Sequence, residues 1–253
     1  MTFRNLCLLS MLGIPFTLAA QHPDGIPPDE RLHDKTSYVY VYGRFDMTII
    51  PVLSPCVELL YFSDSAPVVR DVAVQNKFRY LINGSYFHGS RLNALHAGWL
   101  RVYGKHYTML TDDRQLTHVV KIDSSKKSIS FIRKEEFAAD STASTLEFQT
   151  GPLIIENGKA ATEFIQSSIN GLAKHRRTLM ATIENSQLVL ILVREKVSLD
   201  ELAKYLLRLS IFKGKKLDVI NLDGGSSTAL YVKAIPRLNF NIEDKLPILI
   251  GVK

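Results

Sequence analysis

The sequence predicts an α+β fold, a single domain with a sheet-dominated core and a few packed helices. Three observations carry this. Short runs of β-branched and aromatic residues recur along almost the whole chain, and only one segment is marked as a strong amphipathic helix. Strand and helix patterns do not alternate regularly, which disfavours a doubly wound parallel sheet. The 253 residues, 46% of them hydrophobic, suffice for one large core.

The chain opens with Arg4, an apolar stretch from Leu6 to Leu18 broken by Pro15, and Ala19-Ala20 before Gln21. This reads as a secretory signal peptide over residues 1–20, too short and interrupted for a membrane span. Residues 21–36 are polar and proline-rich and predict a flexible leader, so the domain proper covers 37–253. No later stretch is long and apolar enough to cross a bilayer. The expectation is a periplasmic or secreted protein, not membrane-spanning after signal cleavage.

Removing the signal leaves only Cys56, so no intramolecular disulfide can form. Its context, S-P-C-V-E-L-L-Y, predicts a buried structural cysteine at the start of a strand. The net charge of +6 is a mild basic excess. Its densest patch, Lys213 to Lys216, has no interleaved aromatics, which argues against a nucleic-acid partner. The excess does suit anionic substrates or envelope surfaces.

Tyr38 to Val52 and Val57 to Phe62 predict two strands joined through Pro51 to Pro55. Val68 to Asn76 predicts a short helix and Phe78 to Ile82 a strand, ended by a turn over Asn83 to Gly89. Arg91 to Leu110, with Trp99 between Gly98 and Gly104, reads as a hairpin. Thr117 to Ile122 and Ser128 to Ile132 alternate as strands, and Arg133 to Ser144 is loop. Leu153 to Ile155 is a strand closed by the Asn157-Gly158 turn. Phe164 to Lys174 reads as loop, and Arg177 to Ile183 with Leu188 to Val193 as a strand pair. Ser198 and Glu201 form a capping box, and Leu199, Leu202, Ala203, Leu206 and Leu209 mark one face of the helix behind it. Val219 to Leu222, Tyr231 to Ile235 and Ile248 to Val252 complete the strands.

Chemistry gathers at the end of the Val219 strand. Asp223 interrupts the apolar run just where Gly224 and Gly225 let the backbone turn, and Ser226, Ser227 and Thr228 add hydroxyls and amides. A strand-end turn capped by its own acid accounts for these residues as well as an anion or sugar site does. Two other stretches share the character: N-G-S-Y-F at Asn83 to Phe87 and T-G-P-L-I-I-E-N-G at Thr150 to Gly158. H-R-R-T, His175 to Thr178, lies between the last two.

In this order and spacing the set resembles the phosphodiester glycosidase family, over roughly Phe78 to Tyr231. The resemblance implies hydrolysis of the bond between a sugar's anomeric carbon and a phosphate diester, with an N-acetylglucosamine-like sugar. Asn83, Gly84, Tyr86 and Phe87 match the family's asparagine-glycine-aromatic turn, and Gly151 with Pro152 its glycine-proline pair. Arg177 and Thr178 match its arginine-threonine pair, and Asn221, Asp223, Gly224 and Gly225 its terminal loop. Ser85 stands where a second glycine is common, and Ser226 where relatives have a further glycine or a proline.

A phosphate leaves as a stable anion and needs no proton, so one carboxylate can serve where ordinary glycosidases use two. Asp223 is then expected to activate water or to stabilise positive charge at the anomeric carbon, kept ionised by neighbouring amides. Arg177 would grip the phosphate through its guanidinium fork. Asn83 and Asn221 would fix sugar hydroxyls, Gly84, Gly224 and Gly225 would allow close approach, and Ser226 and Ser227 would donate to the phosphate. Tyr86, Gly151, Thr178 and His175 complete the candidate site, His175 as a phosphate contact or a solvent-facing loop residue. No zinc motif and no G-x-S-x-G is present, so no cofactor is expected; the Asp223 loop is compatible with a divalent cation but no motif asks for one. The partner is a sugar-phosphate diester or envelope glycan. The reading from another class is a non-catalytic envelope protein that binds such glycans and assists exopolysaccharide assembly.

Overall fold

The computed structural model describes residues 25–34, 37–52, 56–123, 126, 128–137, 145–168, 171–184 and 187–253. The expected signal peptide lies outside them. Along the chain run β1 (Glu30–Asp34), β2 (Ser37–Tyr42), β3 (Met47–Val52), β4 (Val57–Tyr61), α1 (Val69–Gln75) and β5 (Tyr80–Asn83). Two small hairpins follow, β6 (Phe87–Ser90) with β7 (Asn93–His96) and β8 (Leu100–Val102) with β9 (Lys105–Thr108). Next come β10 (His118–Asp123), β11 (Ser128–Arg133), β12 (Thr145–Thr150), β13 (Leu153–Glu156), β14 (Lys159–Ala160) and α2 (Thr162–Ser167). The chain ends with β15 (His175–Ile183), β16 (Gln187–Val197), α3 (Leu199–Leu206), β17 (Leu217–Asn221), β18 (Leu230–Val232) and β19 (Ile248–Val252).

The strands form an eight-stranded sheet ordered β1-β2-β3-β16-β15-β17-β13-β14, a five-stranded sheet β11-β10-β12-β8-β9 and a four-stranded sheet β18-β5-β19-β4. Their pairings are antiparallel, which needs no helical crossover between neighbouring strands. The eight-stranded sheet is buried on both faces. Leu188, Leu190 and Leu192 of β16 join one core with Leu100, Val120, Phe148 and Ile82 from the smaller sheets. Val189, Ile191 and Val193 join the other with Ile165 of α2 and Leu199, Leu202 and Leu206 of α3. The two-residue period of a strand sorts one continuous apolar run into two cores. A third cluster packs α1 on the outer face of the four-stranded sheet.

The fold corrects several expectations. Glu30–Asp34 of the expected leader is a strand, held at its end by Asp34, which is 4% exposed and accepts from Tyr80 Oη and, at 3.1 Å, from Arg79 Nη2. Tyr38 to Val52 splits at Arg44–Asp46, where Phe45 and Asp46 take positive φ, and Pro51 stays within β3 opposite Val189. Cys56 is exposed, because it precedes the first inward position of β4. Phe164 lies in α2 rather than in loop. The helix after Ser198 has the expected cap, Glu201 N donating to Ser198 Oγ at 3.2 Å. β12, the middle strand of the five-stranded sheet, lies outside the expected strands: Leu146 and Phe148 alternate with polar residues, yet the polar face, Thr145, Glu147, Gln149 and Thr150, is buried as well.

Candidate active site

Strand ends from all three large sheets meet at one place: Asn83 ends β5, Thr150 ends β12, Asn221 ends β17, and β15 begins there with His175 to Thr178. The register between β15 and β17 pairs Leu179 with Asn221. Leu222 N then donates to Thr178 O at 2.9 Å, so continuing by one more residue sets Arg177 across from Asp223. Opposed residues of an antiparallel pair stand about 5 Å apart at Cβ. The backbone follows this path past Asp223: a Cβ added to Gly224 would lie 2.6 Å from Arg176 O.

Asn83 fastens the assembly. Its side chain is 2% exposed; Nδ2 donates to Asp223 O at 2.7 Å, and Oδ1 accepts from Thr178 Oγ1 at 2.6 Å and Ala229 N at 3.1 Å. The amide expected to hold a sugar hydroxyl is instead engaged with the protein, as is the hydroxyl of Thr178. Asn221 Nδ2 donates to Tyr86 Oη at 2.5 Å and to Gly151 O at 3.2 Å, and Tyr86 Oη donates to Gly151 O at 3.0 Å. Thr150 Oγ1 donates to Asn221 O at 3.0 Å, tying the five-stranded sheet to the eight-stranded one. Asn221 Oδ1 is buried without a partner among the described residues.

Asp223 is half-buried as a residue. Burial pushes its pKa from 3.8 up to about 6, opposed by the Ser227 hydroxyl, the Gly224 N–H at 2.8 Å and the charge of Arg91. Desolvation thus outweighs the amides expected to hold it ionised. Arg177 is 3% exposed, with Nε on Val197 O at 3.1 Å and Nη2 on Ala173 O at 2.5 Å. Burial lowers its pKa to about 10, so it remains a cation at neutral pH. Tyr86 is half-buried and interacts electrostatically with both Asp223 and Arg177; burial first, then Asp223, raises its pKa. The phenol is therefore within range of the acid and the cation together.

The remaining candidates sort by position. Ser227 is buried against Asp223, whereas Ser226 is exposed. A Cβ at Gly84 would lie 2.4 Å from Ile248 Cγ2, so Gly84, like Gly224, makes room for a neighbouring strand rather than a ligand. Gly225 alone of the three faces open space, at φ +61. His175 lies opposite Val197 at the bulged start of β15, and burial with the charges of Arg177 and Lys196 lowers its pKa. Ser85, the departure from the family turn, is buried with Oγ donating to Gln149 O at 2.6 Å.

Three participants escaped the sequence reading. Arg91 sits at the β6–β7 turn, Gln115 hydrogen-bonds Tyr86, and Gln149 holds the segment before β10 through Thr111 and Leu116. Arg91 and Gln115 are isolated loop residues with no periodic signal, and Gln149 lies on the polar face of β12. Among the described residues no group of three His, Cys, Asp or Glu side chains is placed to hold a metal ion, and no helix is long and apolar enough to cross a membrane. A separate groove of about 500 Å³, lined by residues that include Glu156, Lys159 and Glu163, lies at the other end of β17, where Asn157 N meets Asp218. It gathers none of the strand-end groups, and its two acids pair with Arg133.

Gly224→Ala tests the close packing of the loop on β15. The new methyl must displace Arg176 O, and the variant should lose about 1–3 kcal/mol in urea unfolding. Gly224 has φ −143, extended backbone, so the loss reports this contact and not left-handed strain.

A search of curated proteins finds no match. Among solved structures, the catalytic domain of zebrafish N-acetylglucosamine-1-phosphodiester alpha-N-acetylglucosaminidase, auto-inhibited by its pro-peptide, is similar in fold: TM-score 0.57, 15% identity, over 88% of this chain and 80% of that one. A hypothetical protein from Synechocystis superposes with TM-score 0.52 and 15% identity over 88% of this chain and 61% of its own. A putative exported protein from Burkholderia pseudomallei gives 0.56 and 9%, over 81% and 73%. The phosphodiester glycosidase family profile matches residues 76–253, from just before β5 to the last strand, and so contains all of the strand ends described above. On that match, the chain belongs to the phosphodiester glycosidase family.

Proposed function

We propose that this protein is an exported hydrolase that cleaves the glycosidic bond between the anomeric carbon of an N-acetylglucosamine-like sugar and a phosphate diester. The observation that carries the reading is Asp223, its carboxyl raised to about 6 by burial, on a backbone that runs on from β17 opposite that of the buried Arg177. Family membership supports the substrate class; the expected export leader supports action in the periplasm or outside the cell.

In this reading water attacks the anomeric carbon and the bond to the phosphate oxygen breaks. The phosphate monoester departs with the electron pair, and the attacking water gives its proton to Asp223 and then to solvent. A carboxylate near pH 6 is largely ionised at neutral pH yet basic enough to accept that proton. Arg177, held where water is scarce, favours the anion that forms on departure. Asn83 and Asn221 act as positioning residues: one holds the Asp223 carbonyl, the other holds Tyr86 and Gly151 together. The Ser226 hydroxyl and Gly225 N–H, on the exposed side of the loop, are the groups left to meet substrate. No cofactor is needed for this reaction.

The test is release of free N-acetylglucosamine from its 1-phosphate methyl diester by the protein lacking residues 1–20. Release by the wild type and its loss in Asp223→Asn support the reading. Saturable binding without release, across a panel of sugars, would leave a glycan-binding protein.

A further inference from the structure

Large apolar side chains are not scattered evenly over this surface. Of the eight that remain exposed among the described residues, six (Leu92, Leu95, Tyr103, Tyr107, Met109 and Leu110) come from the stretch between Leu92 and Leu110. Concentrations of this kind mark a binding surface more often than isolated exposed residues do. Leu92 is 67% exposed, Leu95 56% and Met109 72%.

The stretch joins the candidate site through Arg91. This half-exposed arginine directs Nη2 toward Ser226 O at 3.5 Å, and its charge acts on Asp223. Its backbone is fixed: Arg91 O accepts from Ala66 N at 2.9 Å, and three residues on Ala94 N donates to Ser63 O at 2.9 Å. β9 lies beside the same hairpin, because Tyr107 meets Tyr61 edge-on at 5.3 Å and Tyr61 Oη donates to Ala94 O at 2.9 Å. Met109 and Leu110 follow directly, before Thr111 is tied to Gln149. Arg91, beside the Asp223 loop, thus shares its hairpin with exposed Leu92 and Leu95, and Tyr107 of β9 reaches the same hairpin through Tyr61.

We propose that the β6–β7 hairpin binds the part of the substrate beyond the glycosidic bond. Arg91 takes the phosphate oxygens, and Leu92, Leu95 and Met109 cover a long aliphatic alcohol esterified to that phosphate. The inference rests on the glycosidase reading and narrows it: the substrate class is a sugar 1-phosphate ester of a lipid-like alcohol. The cleavage is the same hydrolysis, with the alkyl phosphate as leaving group, so it requires no further reactant. A neutral sugar or polar aglycone would gain nothing from this strip, while an alkyl phosphate matches both the charge and the apolar surface behind it.

The experiment compares the methyl and decyl diesters of N-acetylglucosamine 1-phosphate, below the micellar concentration of the latter. The wild type should show kcat/KM at least about tenfold higher for the decyl ester. Leu92→Ser/Leu95→Ser should remove that preference and leave the methyl ester rate in place, while Val74→Ser, an exposed apolar residue on α1, should change neither. Arg91→Gln should lower both esters alike. Equal rates for the two esters in the wild type, or a preference that survives in the double variant, would overturn the proposal. If neither ester is cleaved, the glycosidase reading fails separately, and calorimetric binding of decyl phosphate against methyl phosphate decides this one. A tenfold tighter decyl phosphate that loses its advantage in the double variant upholds it, and equal affinity ends it. Variants that release the protein from phosphatidylcholine vesicles without altering the decyl-to-methyl ratio would assign the strip to a bilayer instead, and also overturn it.

Discussion

Asp223→Asn should lower kcat on a sugar phosphodiester by about 10²- to 10⁴-fold, the range for removing a positioned acid-base group. The side chain keeps its shape, and an amide oxygen can still accept from Gly224 N and Ser227, so the loss reports on charge and basicity rather than on the loop. In the wild type, kcat/KM should fall on the acid side with an apparent pKa of about 6. The same substitution should stabilise the fold at neutral pH. The folded carboxyl holds its proton more tightly than the unfolded one, whose pKa is 3.8, so its favourable contribution is complete below 3.8 and is lost as pH rises through about 6. At pH 7 the folded chain bears the cost of a desolvated charge that asparagine lacks. The variant's melting temperature should therefore exceed that of the wild type at pH 7, with the gain vanishing below pH 3.8. A less active variant that is no more stable at pH 7 would mean the acid is not desolvated as described.

Glu147→Ala should cost about 3–5 kcal/mol in urea unfolding, the expected penalty for breaking a buried ion pair by deleting one partner. Glu147 is 0% exposed in the middle of β12. It accepts from Arg101 Nη2 at 2.7 Å and Trp99 Nε1 at 3.1 Å, with Lys121 Nζ at 3.9 Å. Removing the carboxylate takes that acceptor from Arg101, itself 8% exposed, and from the indole. Adding Arg101→Leu to Glu147→Leu should recover part of the loss, because an apolar pair has no charge left to solvate. If the double variant is as unstable as the two single losses combined, the network is not coupled and the ion pair is not what organises this sheet. Because β12 ends at Thr150 and carries Gln149 into the site, the single variant should also weaken activity in proportion to its unfolded fraction.

Much of the fold was legible because burial leaves a period in the sequence. β15 and β16 are apolar on both faces, the helix at Ser198 carries its cap, and Asn157-Gly158 closes a hairpin; each is a local pattern with one structural solution. β12 alternates Leu146 and Phe148 with polar residues, but nothing local records that the polar face is buried too. Its Glu147, Gln149 and Thr150 meet partners that approach from Arg101, Trp99, Thr111 and Asn221, none of them near in sequence. β1 was hidden in the same way, since E-R-L-H-D becomes a strand only because β2 offers an edge and Asp34 meets Tyr80 and Arg79.

The sequence by itself determined the sheet-dominated class and the strand-end turns at Asn83, Gly151 and Asp223, because glycines, an interrupting acid and two-residue alternation act over a few residues of chain. Only the tertiary structure decided what those turns do to one another. It spent the Asn83 and Thr178 side chains on holding the loop, set Arg177 beneath the surface, raised Asp223 by desolvation and brought Arg91 to the loop from a hairpin more than a hundred residues away. Desolvation and long-range charge depend on which surfaces are pressed together, and no stretch of sequence records that before the chain has folded.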